Sequence, residues 1–255
     1  MKTIAVAIAA LFLSLSAKAQ VSGNIVGFYR LEIFPGNFLI ANQLSNHTNT
    51  LNTIFNGDIP VGTSFTMWDA AAQHFTPLST YSGSNSGWTI NYTLNFGEGG
   101  LLTSSFDWQT TIVGEVISNF VDGVGLVNWH PNYSSGLHLI SSPIPITAPM
   151  DSMFTNVVGR LPQDGEWAAI LNPTNQTYTF TTFHTGSGWD NGDPILGYGQ
   201  SAWFDLGGGL PATLSSLPMV PEPGAVALGI LGVGLLFVRR ARTGRHSYKA
   251  AAPVT

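Results

Sequence analysis

The sequence predicts an all-β body made of two similar modules, each sandwich- or barrel-like, with an apolar segment at either end of the chain. Three observations lead there. Short runs rich in β-branched and aromatic residues alternate with Gly, Asn, Asp and Pro clusters, at the spacing of about 8–12 residues that marks small β-proteins. Between the two ends, no window keeps an amphipathic helical period over the ~12 residues a helix needs. The first half of the body also matches the second at a nearly constant offset.

In the first half, residues 25–33, 38–42, 63–68, 74–81, 89–92, 101–104 and 110–116 read as strands. Turn clusters such as FNGD at 55–58 and SGSNSG at 82–87 separate them. Residues 51–55 and 151–154 each suit a single helical turn, with Asn49 or Pro149 near its start. PGNFLIAN at 35–42 parallels SGLHLISS at 135–142, and LNTIF at 51–55 parallels MDSMF at 150–154. SGW recurs at 86–88 and 187–189, LNFGE at 94–98 answers LGYGQ at 196–200, and VGF at 26–28 answers VGL at 124–126. The offsets run from 98 to 102, which sets the modules at residues 20–117 and 118–217. A single sandwich drawn from both halves is the alternative. Large apolar residues that correspond, Trp88 with Trp189, Phe65 with Trp167 and Phe96 with Tyr198, are expected in the cores. Trp68, Trp108 and Trp129 have no aromatic counterpart and are freer to be exposed.

The ends carry an address. Lys2, an apolar run over 4–15 and Ala17-Lys18-Ala19 before Gln20 are the three parts of a secretory signal peptide, residues 1–19, cleaved after Ala19. The run is short of the ~20 residues a bilayer span requires. At the other end Val220-Pro221-Glu222-Pro223-Gly224 precedes an uncharged stretch, 225–238, with Gly229, Gly232 and Gly234, and then Arg239, Arg240 and Arg242. It reads as one apolar helix. Basic residues stay on the cytoplasmic side, so the body is expected outside, after passage through the Sec translocon and an inner-membrane intermediate.

Pro-Glu-Pro, a Leu/Gly-rich apolar helix and an Arg cluster in that order resemble the PEP-CTERM sorting signal of Gram-negative bacteria. The resemblance covers residues 220–242. It implies that Val220, Pro221, Glu222, Pro223, Arg239, Arg240 and Arg242 are read by an exosortase, which cuts the tail and passes the protein to the cell surface or extracellular matrix. Family members usually stop just after the arginines, whereas here a basic polar tail, 243–255, follows. The two modules are also similar to a module of secreted proteins that carry the same tail, through Leu39-Ile40-Ala41-Asn42, Trp68-Asp69, Gly87-Trp88 and Gly97-Glu98-Gly99. That second resemblance implies no activity.

Composition narrows the function. With no cysteine there is neither a disulfide framework nor a thiolate metal site. Between Gln20 and Leu217 stand 2 basic residues, Arg30 and Arg160, against 13 acidic ones, leaving about eleven net negative charges. Such a surface repels phosphate backbones, so nucleic acid is excluded as a partner, and no basic face is available for a lipid surface. H-E-x-x-H, G-x-S-x-G and P-loop motifs are absent. Asp190-Asn191-Gly192-Asp193 offers oxygen ligands of the kind Ca²⁺ takes, without the spacing of an EF-hand, and a plain turn explains it as well. The histidines of the body read as surface or edge residues, with His138 alone inside a strand-like run. Glu98, Asp107, Glu115 and Glu166 could be paired for glycoside hydrolysis, but among 13 acids some pairing is always available, and Glu98, matched by Gln200, suits a turn. The expectation is a non-catalytic exported surface or matrix protein without cofactor. The alternative is a polysaccharide-binding module that uses Trp108 or Trp129, and a glycan-active enzyme comes third.

Overall fold

A computed structural model describes residues 25–55, 57–117, 132–209 and 217. The signal peptide with Ala17, Ala19 and Gln20, the sorting segment 218–242 with its prolines and arginines, the tail 243–255 and Trp129 lie outside the described residues. Among the described residues no helix is long and apolar enough to cross a membrane.

Strand β1 (Ile25–Ile33) shows why these residues fold as they do: Val26, Phe28, Arg30 and Glu32 are exposed, whereas Tyr29 and Ile33 are buried. β1 pairs antiparallel along its whole length with β7 (Trp108–Val116), setting Tyr29 opposite Ile112 and Ile33 opposite Trp108. The inner face of this ribbon covers a sheet made of β2 (Gly36–Ala41), β3 (Ser64–Asp69), β4 (His74–Phe75), β5 (Ser79–Thr80) and β6 (Gly99–Ser104), in the order β2-β6-β3-β4 with β5 also on β3. Between them Tyr29, Ile33, Phe38, Phe55, Phe65, Trp88, Leu102 and Ile112 form the first core. A helical turn, α1 (Leu51–Ile54), drops Leu51 and Ile54 into it.

The second half contains β8 (Gly136–Ile140), β9 (Ala148–Pro149), α2 (Met150–Met153), a π turn (Phe154–Val158), β10 (Trp167–Asn172), β11 (Thr177–His184), β12 (Gly188–Trp189), β13 (Ile195–Leu196) and β14 (Ala202–Leu206). Its main sheet runs β8-β14-β10-β11-β12, and β9 pairs with β13 beside it. Met150, Met153, Phe154, Ala168, Trp189 and Phe204 belong to the second core. In chain terms β8, β14, β10 and β11 take the places of β2, β6, β3 and β4/β5. Among the described residues the body is thus mostly β, with two short helical segments.

Hydrogen bonds repeat at these places. Leu51 N–H donates to Tyr92 O, and Met150 N–H to Pro194 O. Asn52 N–H donates to Asn91 Oδ1, and Asp151 N–H to Asp193 Oδ1. Trp88, behind the bridge Tyr81↔Trp88, and Trp189, behind Phe183↔Trp189, both lie buried in their respective cores. The register Phe38↔Leu102↔Phe65 corresponds to His138↔Phe204↔Ala168. The partner of Phe65 is therefore Ala168, not Trp167, which points to the other face and packs against Phe180. Of the pair Phe96 and Tyr198, the tyrosine is exposed rather than in a core.

Two expected strands are interrupted. The run 74–81 splits into β4 and β5 around Pro77, which has no N–H for the ladder. Residues 89–92 form no strand, because the Ser79 hydroxyl donates to Ile90 O and accepts from Ile90 N–H in place of a backbone partner.

The halves form one unit, joined by paired contacts. Ala41 N–H donates to Gly199 O, and Ser141 N–H to Gly97 O. Bridges Ile40↔Gln200 and Glu98↔Ile140 lie beside them. Gln73 Nε2 donates to Leu137 O and its Oε1 accepts from Leu137 N–H, while Gln176 does the same with Asn37. Trp203, fully buried, packs edge-on against Trp68 of the first half at 5.3 Å and against Phe75 at 5.9 Å. Aromatic pairs of this geometry add about 0.5–1.5 kcal/mol each beyond the area they bury.

Candidate functional site

Where β3 turns into β4, Asp69 Oδ1 accepts the N–H groups of Ala71 and Ala72 and so closes the turn. This fixes Trp68, the residue before it, whose indole Nε1 donates to Leu137 O of β8 at 2.7 Å. On the facing side, the turn before β6 is held by Glu98 Oε2, which accepts from Asn95 N–H at 2.9 Å and Asn95 Nδ2 at 3.1 Å. From the second half Asn132, Tyr133 and His138 close the remaining wall. The result is a cleft of about 400 Å³ lined by Trp68, Asp69, Glu98, Asn132, Tyr133 and His138. Its size falls in the ~300–1,000 Å³ range of small-molecule sites.

The electrostatics of the cleft are those of neutral donors beside carboxylates. Tyr133, half-buried with its ring edge-on to His138 at 5.2 Å, is held well above the usual phenol range, first by burial and then by the charge of Glu98. It therefore keeps its proton. Burial lowers the pKa of His138, against the raising effects of the Ser134 carbonyl and the charge of Asp205. The imidazole is neutral at pH 7. Its Nε2 lies 2.8 Å from Ser134 O, so that nitrogen carries the hydrogen and Nδ1 is left as an acceptor. His138 is thus a buried wall of the cleft rather than a surface or edge residue.

The residues singled out from sequence are placed differently. Trp108 is half-buried on the rim of the first core, with its ring edge-on to Phe55 at 6.2 Å. It is not among the residues that line the 400 Å³ cleft. Asp190 Oδ1 accepts from Thr182 N–H and the Thr181 hydroxyl, and Asp193 Oδ1 from Asp151 N–H, so both carboxylates tie loops to strands. Among the described residues no group of three or more His, Asp or Glu side chains is placed to hold a metal ion.

The four carboxylates considered for hydrolysis do not share a site. Glu166 is fully buried and bidentate to Arg160 at 2.5 and 2.8 Å, and accepts from Gln163 N–H and Gly207 N–H. That bond raises the pKa of the guanidinium, against the lowering effect of burial. Asp107 is exposed between β6 and β7, and Glu115 lies near the end of β7. Glu98 instead meets Asp69, which sequence reading treated only as part of a Trp-Asp turn. The unpaired status of Trp68 between the halves was the available signal for this cleft.

No family model, curated protein or solved structure matches the chain.

Proposed function

We propose that the chain is a non-catalytic exported protein of the cell surface or extracellular matrix, sorted by its PEP-CTERM-like tail, with a body made of two copies of one β-module. The observation that carries this reading is the use of polar side chains. Gln73 and Gln176, Asn91 and Asp193, Glu98 and Gln200 accept or donate equivalent backbone hydrogen bonds in the two halves. Residues that a hydrolase would aim at substrate are here engaged in holding turns and joining the halves, as a structural or adhesive unit requires. The shared strand order and the paired contacts support the duplication. The Pro-Glu-Pro segment and arginines support the sorting route, with Sec and an exosortase-type enzyme as processing partners.

Intact mass measurement on surface material from the native host tests the reading. The expected species begins at Gln20 and has lost everything from the arginines onward. A surface species that still contains residues 243–255 rules out tail removal and leaves a membrane anchor in its place.

A further inference from the structure

The two halves hold clefts at equivalent positions, and the clefts have diverged. One, about 90 Å³, is lined by Ile33, Phe38, Leu171, Pro173 and Gln200. The other, about 400 Å³, has Tyr133, His138, Trp68, Ala70 and Glu98 at the matching places. The correspondence follows from the register of β2 with β6 against that of β8 with β14, and from the turns closed by Asp69 and Asn172. The smaller cleft also carries Glu32 and Tyr198, so the two differ at particular matched places rather than in polarity as a whole. At these places a tyrosine, a histidine and a tryptophan stand where the smaller cleft has an isoleucine, a phenylalanine and a leucine, and a carboxylate stands where it has an amide.

We propose that the larger cleft binds a neutral saccharide. Trp68 and Tyr133 offer aromatic surface to the C–H face of a pyranose ring, while Asp69 and Glu98 accept from its hydroxyl groups. Tyr133 supplies a hydroxyl donor and His138 Nδ1 an acceptor. Among the described residues no Lys or Arg lines the cleft, and two carboxylates do. Phosphates and uronates therefore find no counter-charge there and meet repulsion. A sugar hydroxyl, by contrast, is a donor that a carboxylate takes in a charge-assisted bond. The cleft is asymmetric in chemistry although the scaffold is not, so one such site is expected per chain. The proposal goes beyond the export reading and does not depend on it.

The full chain in mild detergent is titrated with cellotetraose, chitotetraose and maltotetraose, with tetragalacturonate and choline as anionic and cationic controls. Binding is followed by tryptophan fluorescence and saturation-transfer NMR. The variant carries Tyr133→Ile, His138→Phe and Glu98→Gln, each substitution importing the residue found at the equivalent position of the other half. The substituted side chains thus have a precedent in the same scaffold, and far-UV circular dichroism checks that the variant is folded. A saturable signal with at least one neutral oligosaccharide, weakened by about tenfold or more in the variant, is expected; tenfold corresponds to about 1.4 kcal/mol. The proposal is overturned by binding to none of the neutral probes, by binding that the folded variant retains in full, or by binding confined to tetragalacturonate or choline. If the triple variant does not fold, Glu98→Gln alone replaces it, because Gln200 closes the equivalent turn by accepting from Gly197 N–H. A threefold or smaller loss in that single variant then counts against the proposal.

Discussion

Glu166 illustrates how little a residue's type says about its task. Read along the chain it was one of four acids that could serve hydrolysis, yet its carboxylate is fully buried at the head of β10. There it gathers Arg160 and the backbone N–H groups of Gln163 and Gly207. Nothing in the local sequence announces this, because two of the partners are backbone groups and one of them, Gly207, is distant in the chain. Trp108 likewise takes a place that is invisible in sequence. It sits on the ribbon β1–β7 opposite Ile33, and packs on Phe55. Replacing Glu166 by Ala removes the acceptor shared by the partly buried Gln163 and Gly207 N–H groups and frees Arg160, whose side chain is 34% exposed and can turn to water. Breaking such a buried cluster costs about 2–4 kcal/mol. Urea unfolding of Glu166→Ala should show a loss of this size, and a loss below about 1 kcal/mol, the worth of one ordinary hydrogen bond, would contradict the structural role.

Among the elements, the strands were legible and their ends less so. β1, β3, β6 and β7 stand within two residues of their expected bounds, because β-branched and aromatic runs flanked by turn residues carry the signal. The run 74–81 broke at Pro77, and 89–92 gave up its ladder to the Ser79 hydroxyl; a side chain bonding to a distant backbone has no local signature. The turns that follow β3 and β10 end in Gln73 and Gln176, both with positive φ, at 53° and 56°. Each extends its amide across to the other half and clasps one residue, Leu137 or Asn37, by both N–H and C=O. The glycines before those residues, Gly136 and Gly36, have φ of 114° and 128°, and a Cβ on Gly36 would run into the Gln176 amide. The clasp therefore depends on a glycine in one half and a glutamine in the other. Gln176→Gly retains the left-handed turn, which glycine adopts freely, and removes the amide. It is expected to cost about 1–3 kcal/mol in thermal or chemical unfolding, the range for leaving backbone groups partly unsatisfied. A neutral result would assign the clasp no energetic weight.

At the scale of the whole molecule, the near-constant offset in sequence pointed to two like halves, but it did not say how they meet. The described residues hold two cores and two five-stranded sheets, one in each half, whose central strands β2-β6-β3 and β8-β14-β10 follow parallel orders. The junction was not legible: Trp203 and Trp68 pack on each other from different halves, and the reciprocal bonds of Ala41 and Ser141 are made by backbone. The ~100-residue size of each half suggests two domains that unfold separately, as linked modules commonly do. The junction argues the opposite. Trp203 is 1% exposed, and separating the halves uncovers it together with Leu39 and Leu139, while breaking the backbone bonds and both glutamine clasps. At about 1.5–3 kcal/mol for each large apolar side chain returned to water, unfolding of one half removes several kcal/mol of stabilisation from the other. The body should therefore melt in one transition, with calorimetric and van't Hoff enthalpies that agree. Trp203→Ala, in the second half, should lower that single midpoint and bring a second transition into view as the halves uncouple. Two separate transitions in the wild-type protein, or an unchanged single one in Trp203→Ala, would mean that the junction couples nothing.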